Sequence, residues 1–119
     1  MRKITLVLGK KGAGKTKWIL ETKDTMLSEG WEEIDAVNET DRNIAIFVLK
    51  SPIGEVAVLN SGSDTHPIIK GFGAFLARHK EASQIFTAIR PQNINPRLHN
   101  WMIEELNIQD DDIVERIEL

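Results

Sequence analysis

Apolar residues fall along this chain in short compact runs that alternate with stretches of helical spacing. Ile4-Thr5-Leu6-Val7-Leu8 is a strand-forming run close to the amino end. Beyond it, Trp18, Ile19, Leu20, Met26 and Leu27 set up a helical pattern in which Ile19/Met26 and Leu20/Leu27 repeat at seven-residue spacing. This predicts a helix from Thr16 to about Ser28, stopped by Gly30 in the left-handed conformation. From Trp31 to Asn43 periodicity is lost and acidic residues accumulate (Glu32, Glu33, Asp35, Glu39, Asp41). That segment is expected to be a surface loop, with a short strand near Ile34 to Val37.

Periodicity returns at Ile44 to Leu49, a continuous β-rich run, and again at Glu55 to Leu59. Between them Ser51-Pro52-Ile53-Gly54 suits a type I turn, so the pair predicts a β-hairpin. A loop of small polar residues, Asn60 to Thr65, precedes Pro67, which opens a helix at its first turn. Ile68, Phe72, Phe75 and Leu76 form its apolar stripe, and Gly71 and Gly73 are expected to allow close packing on the sheet. Ile85 to Ile89 is the next strand. Asn95-Pro96 caps and opens a helix carrying Leu98, Trp101, Met102 and Leu106, and Ile113 to Leu119 alternates as an edge strand does.

The order β-α-ββ-α-β-α-β predicts a single domain over residues 1–119. Its expected architecture is three-layer α/β/α, with a mostly parallel sheet of about five strands and one hairpin. In such a sheet the loops Gly9–Thr16, Asn60–Thr65 and Arg90–Pro96 leave the carboxyl ends of the strands together, and they form the candidate site.

The first of these loops reads Gly-Lys-Lys-Gly-Ala-Gly-Lys-Thr, a complete G-x-x-x-x-G-K-[ST] pattern between a predicted strand and a predicted helix. Glycines suit this chemistry because backbone N–H groups must turn inward around a phosphate, and a Cβ in the wrong place blocks that approach. Free N–H groups and the positive dipole end of the following helix add to an anion site. On these residues, over Ile4 to Leu27, the chain resembles the P-loop nucleoside-triphosphatase superfamily.

The resemblance implies ATP and Mg²⁺ as cofactors. Gly9, Lys10, Lys11, Gly12, Ala13, Gly14, Lys15, Thr16 and Lys17 would surround the polyphosphate, with Lys15 reaching the β- and γ-phosphates and the Thr16 hydroxyl on the metal. A carboxylate at a neighbouring strand end is also implied. Here the chain departs from the pattern, because Val56-Ala57-Val58-Leu59 is followed by Asn60, and Asp64 is the nearest substitute. Asp64 is also placed to cap the next helix, as is Thr65. If Asp64 is not the carboxylate, Asp35, Glu39 and Asp41 are next in line. Arg90, ending a buried strand, would offer a planar, permanently charged donor to a phosphoryl group. No Asn-Lys-x-Asp occurs, which favours ATP over GTP.

Composition narrows the surroundings. A net charge of −3 argues against a broad nucleic-acid or anionic-membrane surface. With no cysteine there is neither a disulfide nor a thiolate metal site, and His66, His79 and His99 lack metal-ligand spacing. No apolar run approaches membrane-span length, and a cytoplasmic protein is expected.

Three functional readings stay open. One is a small Mg-dependent ATPase whose nucleotide state switches a loop such as Trp31–Asn43 and is read by a partner protein. The second is a phosphotransferase similar to small-molecule and nucleotide kinases, with Asp64 orienting the acceptor. The third is a nucleotide-binding module without turnover.

Overall fold

A computed structural model describes residues 2–39 and 44–119. Its elements in chain order are β1 (Lys3–Leu8), α1 (Lys15–Ser28), β2 (Glu32–Glu39), β3 (Ile44–Lys50), β4 (Val56–Asn60), α2 (His66–Arg78), β5 (Gln84–Ile89), α3 (Pro96–Leu106) and β6 (Ile113–Glu118). The strands form one sheet in the order β2-β3-β4-β5-β1-β6. β4, β5, β1 and β6 run parallel, while β3 is antiparallel to β4 and β2 is antiparallel to β3.

Local chemistry accounts for most element ends. Gly30 closes the segment after α1 at φ 97°, a backbone shape that costs glycine nothing sterically. The Ser51–Gly54 turn is closed by Gly54 N–H donating to Ser51 O at 3.0 Å. Thr65 and Asn95 cap α2 and α3, their side-chain oxygens accepting from the N–H groups of Ile68 and Leu98.

Both faces are covered at the central strands, so β4 is buried along its whole length, whereas the parallel edge strand β6 is largely exposed. Ile69, Phe72 and Phe75 of α2 and Met102 and Leu106 of α3 pack with Ile4, Leu6 and Leu8 on one face. Ile19 and Met26 of α1 pack with Val7, Phe47, Leu49 and Leu59 on the other. No helix among the described residues is long and apolar enough to cross a membrane.

Two expectations are corrected here. The sheet has six strands and is mixed, with two of its five pairings antiparallel, so it is not the mostly parallel sheet of about five strands that a P-loop NTPase fold implies. The difference comes from the acidic segment after α1. The short strand expected near Ile34 to Val37 extends over eight residues as the edge strand β2, in place of most of the expected surface loop, although between Glu32 and Asn38 only Val37 is even half-buried. Backbone pairing with β3 holds it, from Glu32 opposite Lys50 to Glu39 opposite Ile44, and an edge strand with both faces wet leaves no apolar alternation to read. The expected Trp31–Asn43 closing loop is therefore mostly strand, and residues 40–43 lie outside the described residues.

The second correction concerns the α2 glycines. Gly73 does not face the sheet: it packs under α3, where a Cβ would collide with the Glu105 carboxylate, while Gly71 faces open space.

Candidate functional site

Parallel pairing aligns the carboxyl ends of three strands, with Leu8 opposite Ile89 and Asn60 opposite Thr87. The loops that follow β1, β4 and β5 thus leave one edge of the sheet.

The Gly9–Thr16 loop curls back on itself. Gly9 is buried between β1 and the loop, and a Cβ there would lie 2.9 Å from the Ala13 Cβ, so only glycine fits. Ala13 N–H donates to Lys10 O at 3.0 Å. Gly14 precedes α1 in the left-handed conformation, φ 99°, and no side chain caps that helix. The first-turn amides of α1 therefore have no side-chain partner and point out of the helix start.

Lys15 sits at the centre of this loop, only 7% exposed. Its Nζ donates to Gly9 O at 2.6 Å and to Lys10 O at 3.1 Å. Burial pushes the Lys15 pKa down, the nearby Arg90 charge pushes it further, and Asp64 opposes both. An ammonium held this way is attracted to any anion that can replace solvent around it.

Lys11, Gly12, Gly14, Lys15 and Thr16 line a cleft of about 360 Å³ together with Ser61 and Asp64 from the loop after β4. Asp64 does not cap α2, since Thr65 does. Its Oδ1 instead accepts from Arg90, Nη2 at 2.8 Å and Nε at 3.2 Å. The Arg90 side chain is 13% exposed and that of Asp64 is 42% exposed. Arg90 is anchored through its carbonyl, which accepts from His99 Nδ1 at 2.9 Å, so that nitrogen carries the proton. His99 is buried on α3, not facing solvent.

Not every expected residue converges. Lys10 contributes its carbonyl while its side chain is exposed, and Lys17 points along α1 to Glu21 at 3.8 Å. Asp35 meets His79 at the far end of α2. The Glu39 side chain and all of Asp41 lie outside the described residues.

Asn60, where a carboxylate was looked for, is fully buried. Its Nδ2 donates to Gly62 O at 2.8 Å and to Thr87 Oγ1 at 3.0 Å, and its Oδ1 accepts from Gly62 N–H. It is a brace that shapes the loop and needs an amide to do so. Ser61 was missed as a lining residue, and its position in a small polar loop after a strand was the available signal.

Among the described residues no group of three or more His, Asp or Glu is placed to hold a metal alone. Magnesium is commonly bound through one or two carboxylates plus substrate phosphates, so Thr16 and Asp64 fit as a partial donor set that a triphosphate would complete. Two larger clefts, of about 530 and 510 Å³, lie elsewhere. In the first, Arg2 is engaged by Asp112, and the second is lined by Trp18, Trp31 and Phe86 with Glu21 and Glu29 and without a basic residue. Neither matches the buried ammonium and glycine turn of the smaller cleft.

No family model and no curated protein matches the chain. A structure of EndoMS in apo form is similar at a TM-score of 0.42 and 14% identity, covering 93% of this chain and 48% of that one. The chain thus spans about half the length of that protein. The expected membership of the P-loop superfamily is corrected accordingly: no family model matches, and the sheet is mixed, with antiparallel strands at one end.

Proposed function

We propose that this chain binds the polyphosphate of a nucleoside triphosphate, ATP by preference, in the Gly9–Thr16 loop and hydrolyses it with Mg²⁺. One observation carries the reading: Lys15, the first residue of α1, is buried with its ammonium held by two carbonyls of the glycine turn before it, and that helix start has no side-chain cap.

In this reading the bound phosphates take the place of solvent beside Lys15 and meet the α1 amides. The metal, when bound, neutralises charge on the phosphates. Thr16 and Asp64 would hold it, and Arg90 would meet charge that develops on the transferred phosphoryl group. A protein that reads the nucleotide state is the partner this activity calls for.

Asn60 favours a second reading. Because it is committed to bracing, no carboxylate ends β4, which suits a module that binds nucleotide without turning it over. Single-turnover measurements with Mg·ATP, with and without a panel of acceptors, separate the possibilities. Phosphate release without acceptor is the expected result. Transfer only to an acceptor indicates a kinase-type activity, and tight binding with neither indicates the module. Lys15→Ala that binds ATP as the wild type does would remove the site itself.

A further inference from the structure

We propose that Asp64 and Arg90 form a latch which the terminal phosphate of a triphosphate opens, so that one charge exchange selects ATP over ADP and frees the carboxylate for the metal. This rests on the reading that the Gly9–Thr16 loop binds nucleotide.

The two side chains come from loops 26 residues apart and meet at the rim of the cleft, both Arg90 donors falling on one Asp64 oxygen. Their exposures differ. Arg90 is largely enclosed and pinned through its backbone by His99, whereas Asp64 is well exposed and lines the cleft with Lys15 and Thr16. The pair is therefore anchored on the cationic side and loose on the anionic side.

Arg90 follows Ile89, which stands opposite Leu8 and accepts from Gly9 N–H at 3.4 Å, so it starts beside the turn whose Gly9 carbonyl holds the Lys15 ammonium. Two cations at one end of the sheet repel each other, and Asp64 offsets one of them through its ion pair with Arg90. A triphosphate reverses the balance. Its terminal phosphate offers Arg90 a bidentate acceptor more highly charged than a carboxylate. The Asp64 carboxylate then faces phosphate oxygens of its own sign, a position it holds comfortably only next to a divalent cation. Arg90 leaves Asp64 for phosphate, and Asp64 becomes available to the metal beside Thr16. A diphosphate that ends at Lys15 leaves the latch closed.

The test is calorimetric titration of ATP and ADP, each in EDTA and in Mg²⁺, into the wild type, Arg90→Ala, Arg90→Lys, Asp64→Asn and Lys15→Ala. Arg90→Ala should weaken ATP by about tenfold or more and ADP by less than about twofold, with Arg90→Lys intermediate. Asp64→Asn should bind ATP in EDTA about threefold tighter than the wild type, because Arg90 is no longer held back, and should gain less from Mg²⁺ than the wild type does. Equal weakening of ATP and ADP by Arg90→Ala, or metal-free ATP bound no better by Asp64→Asn, overturns the latch. If Lys15→Ala loses both nucleotides while either of those results appears, the latch alone fails; if Lys15→Ala keeps both, the site reading fails with it.

Discussion

Arg2 and Asp112, 110 residues apart in the chain, are joined at three points. Arg2 Nη2 donates to Asp112 Oδ2 at 2.8 Å, Nε shares the carboxylate at 3.3 to 3.4 Å, and the Arg2 backbone N–H donates to Oδ1 at 3.0 Å. The same guanidinium donates to the carbonyls of Leu106 and Asn107 at the end of α3. One contact thus ties the starts of β1 and β6 to the last turn of α3.

The Arg2 hydrogen bonds hold the Asp112 carboxyl down to about 2, against an ordinary value of 3.8. A depressed carboxyl contributes stability above its unfolded value and loses it as pH falls through the folded value. Denaturant melts should therefore show Asp112→Asn less stable than the wild type by about 1–2 kcal/mol at pH 7, the gap closing between roughly pH 4 and pH 2. A gap that stays constant across that range excludes the carboxylate as its source.

Lys15 behaves in the opposite sense. Its charged form is disfavoured by burial, so it costs stability below its lowered pKa, and that cost fades as pH rises toward the ordinary value of 10.5. Lys15→Met should abolish ATP binding without lowering the melting temperature of the nucleotide-free protein at pH 7. A fall of more than about 4 °C would mean that the ammonium supports the fold.

The two glycines of α2 should respond with opposite signs. Gly71→Ala meets nothing within 4 Å and should stabilise by about 0.5–1 kcal/mol through helix propensity. Gly73→Ala makes the Glu105 carboxylate swing aside and leaves a methyl 3.0 Å from the Glu105 Cβ, so it should gain nothing from helix propensity and destabilise by up to about 1 kcal/mol. Thermal melts of both variants decide it, and a Gly73→Ala as stabilising as Gly71→Ala would show that Glu105 does not restrict the contact between α2 and α3.

Asn60→Asp is the substitution a sequence comparison would suggest for building a metal site. Here it removes a buried donor to Gly62 O and Thr87 Oγ1 and inserts a buried charge. A loss of about 2–4 kcal/mol is expected, with no gain in turnover. Faster phosphate release from a stable variant would contradict the bracing role.

How much was legible followed from how local each feature is. The strand, glycine turn and helix from Ile4 to Ser28, the Ser51–Gly54 turn and the caps at Thr65 and Asn95 depend on residues a few positions apart, and all appear in the fold. Of β2 only the stretch near Ile34 to Val37 was legible, because an exposed edge strand is held by main-chain hydrogen bonds, which any residue but proline supplies.

Short-range pattern therefore settled where the glycine turn lies and which lysine it carries, since turn geometry and helix start are written into consecutive residues. Long-range register settled the rest: the mixed sheet, the burial of His99, the bracing by Asn60 and the meeting of Asp64 with Arg90. Those contacts arise only when β4, β5 and β1 align side by side, and nothing within one segment specifies which side chains of another will stand opposite it.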